Sequence, residues 1–452
     1  MRTPVSFAVA ILLLGAAPAG AMTLEEALAA AYVGNPTLQA QRAALRATDE
    51  QVPQALSGWR PRVSLNGSAG KTWVDSRTTT TSTDYNLDNR QIGATLTQPL
   101  FRGFRTVKGV EAAENVVLAA RSQLTSVEQQ ILLAAAQVYS DVLRDQEVVK
   151  LSVNNEQVLR RQLGATQDRF RVGEITRTDV SQAESRVAGS VASRIAAEAQ
   201  LMSSRATFQR IVGVPPENLE LPKALPIVPA TLEEAVARAL EEQPDVLTAV
   251  YGARAAEDTV DVVRGELLPE VSLQASRNRG WETSTPGSRA DNTQITANLS
   301  VPLYQGGAVY SRVREAKSTA GQRRLEVDQA QVSAREQAIQ AWENLVAARA
   351  EIESRQSQVE AATTALDGVQ REAQVGARTV LDVLDAEQEL FGANVDLVGA
   401  QRNQRVAAFS LLAATGGLTA QNLGLPVEVY DASVHYDAVR GQWFGTDAPT
   451  GQ

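Results

Sequence analysis

The chain has 452 residues, with 43 Lys and Arg against 52 Asp and Glu, one histidine, no cysteine and a net charge of −9. Without cysteine there is no disulfide framework, no thiolate metal site and no thiol nucleophile, and a lone His435 excludes catalysis by a histidine pair. The acidic balance excludes a nucleic-acid binder, which needs a basic face to neutralise phosphate, and no cofactor or metal is expected.

The N-terminus reads as an address. Arg2 precedes an apolar run over 7–17, and Ala19-Gly20-Ala21 supplies the small-x-small pattern of a signal peptidase site. Residues 1–21 are therefore expected to be an export signal and Met22 the start of the mature chain. No cysteine follows to carry a lipid anchor. No later segment approaches the ~20 apolar residues of a membrane helix, so a membrane-spanning form of this chain has to be a barrel.

Two copies of one unit follow. Aligning Thr23 with Thr231 superposes TLEEALAAAYVGNP on TLEEAVARALEEQP and continues without a gap to Leu65 and Leu273, with 15 of 43 positions identical. Beyond the next loop Gly103 meets Gly306, Val172-Gly173 meets Val375-Gly376, and Gly213 meets Gly416. The repeats are placed at 22–213 and 231–416, with a linker at 214–230 and a tail at 417–452.

Each copy opens with a helix, over 23–56 and 231–265, capped by Thr23 and Thr231 with Glu26 and Glu234 at capping-box spacing. The period then changes to two, with Val63, Leu65, Ile92, Ala94 and Leu96 alternating with polar residues in the first copy. Val271, Leu273, Ala275, Ile295, Ala297 and Leu299 do so in the second. These are β-hairpins at about 59–101 and 269–302, joined by polar loops over Asp75 to Asn89 and Glu282 to Asp291. Long proline-free helices are expected at about 103–172 and 306–375, each roughly 105 Å at 1.5 Å per residue. Returning helices are expected at about 176–211 and 379–414. In the second long helix Ala334, Ala338, Ala341, Leu345 and Ala348 repeat at steps of 3 and 4, a coiled-coil seam built from alanine.

Four amphipathic strands match a bilayer in length but cannot close a barrel. An open edge in lipid leaves amides unpaired, so several chains have to share one barrel. The competing arrangement is a soluble β-sandwich with helical insertions.

The chain resembles the TolC family of outer-membrane channels over its mature length. The resemblance is carried by the repeat, by QPLFRGF and VPLYQGG at the strand-to-helix junctions, and by VGEITRTDV and VGARTVLDVLDAE at the helical turns. The tail LPVEVYDASVHYDAVRGQWFG is similar to the ending of the type I secretion branch. The resemblance implies a mixed α and transmembrane β fold: a homotrimer whose four strands per chain make a twelve-stranded barrel, continued by an α-helical coiled-coil barrel in the periplasm. It further implies an outer-membrane exit duct of a Gram-negative bacterium, serving a periplasmic adaptor and an inner-membrane transporter of ABC type. Cargo is secreted protein or small molecules.

By the same resemblance, Asp382 and Asp385 match carboxylates ringing the periplasmic constriction, and Arg378 the arginine whose bonds hold it closed. Thr178 and Asp179 match that arginine's acceptors on a neighbouring helix. By spacing alone these are an ordinary surface i,i+4 set worth about 0.3–0.5 kcal/mol. The family tyrosine five residues before the arginine is Ala373 here, which predicts a leakier resting state. Val172, Gly173, Val375 and Gly376 match the tips that receive the adaptor, although glycine at a helical turn needs no partner. Lys71 with Trp73, and Arg279 with Trp281, fall on the lipid-facing parity near the loops, as an interfacial belt or as packing beneath the loops. His435 is expected to be a surface residue.

Two other classes compete with this one. A periplasmic coiled-coil adaptor or adhesin would not need four alternating strands in duplicate. An exported carboxylate hydrolase would need an acid pair beside a glycine-rich or aromatic pocket, and no such pattern is present, so the chain is not expected to be an enzyme.

Overall fold

The computed structural model describes residues 22–222 and 224–447. The export signal expected at 1–21 and the last residues of the tail, 448–452, lie outside them. The chain forms two compact units, each drawing on both repeats: one comprises residues to 36, 128–235 and 338–428, the other 37–127, 236–337 and 429 onward.

The helices that open the repeats are broken, where single helices were expected. In the first copy α1 (Leu24–Gly34), α2 (Pro36–Asp49) and α3 (Gln51–Leu56) follow one another. Pro36 has no amide to donate and holds Asn35 at an extended ψ of 121°, so α1 stops and α2 starts with proline in its first turn. A single 3₁₀ turn over Ser57–Trp59 then delivers the chain to the first strand. The Thr23 capping box is complete, with Thr23 Oγ1 accepting from Glu26 N at 3.2 Å and Glu26 returning the bond at 2.9 Å. Its repeat counterpart is altered: Glu234 N donates to Thr231 Oγ1, but the Glu234 carboxylate accepts from Ala230 N.

Strands β1 (Arg62–Arg77) and β2 (Ser82–Arg102) are longer than expected, because most of the stretch placed in a loop at 75–89 is strand. Its alternating Thr, Tyr and Leu suit a pleated surface, and the register continues through Val74↔Tyr85 to Arg77↔Ser82, leaving a turn of 78–81. Pro99 cannot donate to the ladder, and the register with the third strand shifts between Pro99 and Phe101. Helix α4 (Arg105–Arg171) runs 67 residues, α5 (Arg177–Val212) returns, and α6 (Leu232–Glu242) with α7 (Pro244–Arg264) opens the second copy. Here Pro244 makes the break, after Gln243 caps α7. Strands β3 (Glu270–Trp281) and β4 (Arg289–Ser300), α8 (Ala308–Gln374), α9 (Val380–Ala414) and a tail helix α10 (Ala432–Arg440) complete the chain.

The strands form one antiparallel sheet in the order β1-β2-β3-β4, so β1 and β4 each keep an open edge. Cross-strand partners put Val63 against Leu96, Leu96 against Ala275, and Ala275 against Ile295, which gathers the apolar parity onto one face. That face is uncovered: Val63, Leu65, Ile295 and Leu299 are each at least two-thirds exposed. Twelve residues at about 3.3 Å each, tilted by about 40°, rise about 30 Å, enough for the ~25 Å apolar band of an outer-membrane barrel. Among the described residues no helix is long and apolar enough to cross a membrane.

The first unit's core is mostly alanine. Ala341, Leu345 and Ala348 of α8 pack on Ala407, Ala408, Leu411 and Ala414 of α9, and such small side chains allow helix axes to approach to the short end of the usual 8–10 Å. Met22 is sewn into this unit through a parallel bridge to Leu219, with Tyr139 Oη 2.8 Å from the Met22 carbonyl. In the second unit Val52, Ala113 and Val117 form a small core closed by Tyr436 of the tail. His435 departs from expectation. It is 4% exposed, and its Nδ1 lies 2.9 Å from Oδ2 of the fully buried Asp49. Nothing near it in sequence announces this partner, which comes from 386 residues away.

Candidate functional site

The two turns that join long and returning helices are built alike. After α4, Gly173 takes φ 82° and closes a C-terminal cap in which Gly173 N donates to Phe170 O and Glu174 N to Arg169 O. After α8, Gly376 takes φ 79°, with Gly376 N to Ala373 O and Ala377 N to Glu372 O. Both have the hydrogen-bond pattern of a Schellman motif, which requires a left-handed residue and therefore favours glycine. Val172 and Val375, one residue earlier, stand 77% and 80% exposed. An ion pair spans each turn, with opposite polarity: Arg169 to Glu174 at 2.6 Å, and Arg378 to Glu372 at 2.8 Å.

Each returning helix then starts on a full capping box. Thr176 N and Oγ1 donate to Asp179 Oδ2 at 2.8 and 2.7 Å, and Thr379 N and Oγ1 donate to Asp382 Oδ2 at 2.8 Å each. Asp179 and Asp382 are therefore equivalent residues, each the third of its helix. These bonds hold both carboxyls below the usual aspartate range; the Thr176 hydroxyl is the largest cause for Asp179 and the Thr379 amide for Asp382. Glu372 holds the Arg378 guanidinium above its usual value.

A hydrophobic plug lies directly behind the caps, with Leu159 of α4, Ala183 of α5, and Val380 and Leu384 of α9 packed together and Ile175 against them. Across it Arg186 of α5 is paired with Asp385 of α9. Gln370 of α8 donates to Glu387 of α9 at 2.9 Å, and burial pushes the Glu387 carboxyl up.

The structure therefore gathers Asp382, Asp385, Arg378, Thr178 and Asp179 at one end of the first unit. Within one chain Arg378 reaches Glu372, while Thr178 stands exposed. Sequence reasoning missed Glu372, Arg186 and Glu387. Glu372 was legible as the repeat counterpart of Arg169, the two being 203 positions apart like Gly173 and Gly376. Arg186 carried no local signal, because its partner lies on another helix. In the second unit, Lys71 lies 3.8 Å from Asp88 and Arg279 is paired with Asp291 across the hairpins, while Trp73 is 72% and Trp281 37% exposed. Among the described residues no cluster of His, Asp or Glu is arranged to hold a metal.

The caps carry a pH dependence. A carboxyl whose folded value is depressed adds stability above its unfolded value, near 3.9, and that contribution is lost as pH falls through the folded value. Amide exchange at Thr176 and Thr379, corrected for intrinsic rates, should stay slow from pH 7 to about 4 and accelerate below. Thr379→Ala should weaken that helix start by about 1 kcal/mol and accelerate exchange across 379–383 at pH 7. Equal exchange in variant and parent would remove the cap from the account.

Comparison with known proteins agrees with this architecture. The outer membrane efflux protein family matches residues 27–214 and 235–417. The outer membrane efflux protein BepC of Brucella suis is 38% identical over 98% of this chain and 97% of its own. The alkaline protease secretion protein AprF of Pseudomonas aeruginosa is 26% identical over 81% and 78%. Among solved structures, the outer membrane protein VceC of Vibrio cholerae superposes with a TM-score of 0.76 at 21% identity, covering 87% of this chain and 96% of that one.

Proposed function

The chain belongs to the outer membrane efflux protein family, and from that premise we propose how this member conducts and gates. It is an outer-membrane exit duct: three chains close one twelve-stranded barrel, and their helices continue it into the periplasm. The observation that carries this is the four-stranded sheet, apolar and uncovered on one face and open at both edges. In lipid such a sheet is stable only when a neighbour's β1 completes each β4. A periplasmic adaptor protein would have no use for that face.

In this reading Asp382 and Asp385, repeated three times around the axis, form an acidic entrance that favours cations. The cap occupies only Oδ2 of Asp382, leaving Oδ1 for the lumen. Arg378 holds the closed state by reaching Thr178 and Asp179 of a neighbouring chain, and the exposed tips at Val172-Gly173 and Val375-Gly376 receive the adaptor. The inner-membrane partner is an ABC-type transporter that supplies the energy. The likeness to AprF supports protein cargo and the likeness to BepC supports efflux cargo.

The deciding experiment is fractionation with planar-bilayer recording. The purified protein should come from the outer membrane as a trimer in mild detergent and conduct on insertion. A monodisperse monomer that keeps its full β content would overturn the shared barrel. The belt residues have their own test: Trp73→Ala with Trp281→Ala should cut assembled trimer several-fold while helix content per folded chain stays constant. Unchanged yield would make these tryptophans loop packing.

A further inference from the structure

The end of the tail is unexplained by conduction or gating, and it places aromatic surface where the barrel begins. Trp59 ends the 3₁₀ turn before β1 and is 40% exposed. Its carbonyl accepts a bond from Gln98 Nε2 at 2.8 Å, which ties it to the foot of β2. Val63, the first residue of the apolar face, is four positions on, no more than about 13 Å away at 3.3 Å per residue. The tail arrives at the same level. Arg60 Nη1 donates to the Gln442 carbonyl at 2.7 Å, and the Arg60 guanidinium lies over the Trp443 ring at 4.9 Å. Trp443 is 56% exposed and Phe444, next to it, 88%.

Between them lies a shallow depression of 590 Å³ lined by Leu56, Trp59, Arg60, Asp437, Arg440 and Trp443. Two guanidiniums and one exposed carboxylate share this rim. Arg440 gives one N–H to Glu114 at 2.9 Å, which leaves other donors of its fork available.

We propose that this ledge binds phospholipid of the periplasmic leaflet, with a zwitterionic headgroup seated in the depression. Arg60 and Arg440 face its phosphate, Asp437 faces its ammonium, and Trp443, Phe444 and Trp59 lie in the interfacial layer. Three arguments select lipid over a protein partner. The ledge continues the apolar barrel face, which already meets lipid. It stands at the helical, hence periplasmic, end of the strands. Finally, exposed tryptophans flanked by arginine suit the headgroup region, which accepts both a ring and a cation. The inference rests on the outer-membrane barrel and fails separately from it, because an assembled trimer is the starting material for the test.

The trimer with Trp443 as sole tryptophan, made by changing Trp59, Trp73, Trp281 and Trp342 to Phe, is reconstituted into vesicles of phosphatidylethanolamine and phosphatidylglycerol. Trp443 emission should fall by at least half when the phosphatidylethanolamine is dibrominated near the top of its chains, and acrylamide should quench it weakly. Strong quenching by acrylamide with none by bromine would put Trp443 in water and overturn the proposal. Protection from both would mean that a neighbouring chain covers it, which overturns it equally. Should the fourfold variant fail to assemble, the quenched emission lost between the parent trimer and Trp443→Phe reads the same quantity. Phospholipid retained per trimer by native mass spectrometry should also fall in Arg60→Gln with Arg440→Gln; retention equal to the parent would exclude the headgroup contact.

Discussion

Replacing Gly103 by alanine is expected to cut assembled trimer severely, whereas the same change at its repeat counterpart, Gly306, should have a clearly smaller effect. Gly103 sits where β2 becomes α4 with φ +59°, and a Cβ there would stand 2.2 Å from the Gly265 carbonyl oxygen and 2.9 Å from Leu268 Cβ. The approach is mutual, since a Cβ on Gly265 would come within 2.3 Å of the Gly103 oxygen. Left-handed geometry costs an alanine about 1–2 kcal/mol, and overpacking against backbone adds about 1–3. Together these are a large part of the ~5–15 kcal/mol that holds a folded domain. Gly306 has φ +64° and nothing within 4 Å, so only the conformational cost applies. The first junction is also the more strained: Phe104 holds φ 61° where the second copy has Gly307, steadied by an edge-to-face contact with Phe101 at 5.2 Å. Outer-membrane yield of heat-resistant trimer measures both variants, and similar yields would mean that the junction relaxes freely.

At the other end of the long helices, Arg378→Ser should raise single-channel conductance several-fold. The change removes the cation that now spans the turn to Glu372 at 2.8 Å and is proposed to bridge to the next chain, while every acid stays in place. Arg186→Ala should act in the same direction by releasing Asp385 and loosening α5 from α9 over the Leu159–Leu384 plug. Asp382→Ala with Asp385→Ala should lower cation preference and weaken block by multivalent cations, most visibly at low salt. Ala373→Tyr should lower the resting current. If Arg378→Ser leaves conductance unchanged and the acid pair leaves selectivity unchanged, these side chains are a solvated helix face and the constriction lies elsewhere.

Much of this architecture was legible in the sequence because it rests on periodicity. Alternation at Val271, Leu273 and Ala275 against Ser272, Gln274 and Ser276 has one physical meaning, a sheet with unlike faces, and duplication of the pattern showed it twice. The alanine seam of α8 was legible for the same reason. What escaped depends on a partner distant in sequence, or on competition between two local rules. Pro36 and Pro244 fall inside the helices expected at 23–56 and 231–265, yet a proline in the first turn starts a new helix as readily as it ends an old one. Thr83, Tyr85 and Leu87 are as compatible with a strand as with a loop, and pairing with Ser76, Val74 and Thr72 decided for strand, while Thr78 to Thr81 stay in the turn. Asp382 was read for its charge, while its first bonds are to its own cap, a role its spacing from Thr379 already allowed. Arg186, Glu387 and His435 take their meaning from Asp385, Gln370 and Asp49, and no pattern along the chain connects those pairs.

The contact between His435 and Asp49 also bears on the order in which the protein can be completed. Asp49 is fully buried, its Oδ1 has no bonding partner, and its Oδ2 is met by a residue in the last turns of the chain. Arg42 and Arg121 lie against the same segment, over the rings of Tyr430 and Tyr436. Without the tail the second unit loses the partner of that carboxyl together with Tyr436, which closes the small core of Val52, Ala113 and Val117. A polypeptide that stops short of α10 has both hairpins and all four long helices, yet its α4 lacks the tail contacts made by Glu114 and Arg121. The packing of α2, α3 and α4 is therefore complete only once α10 has been made and has docked on them.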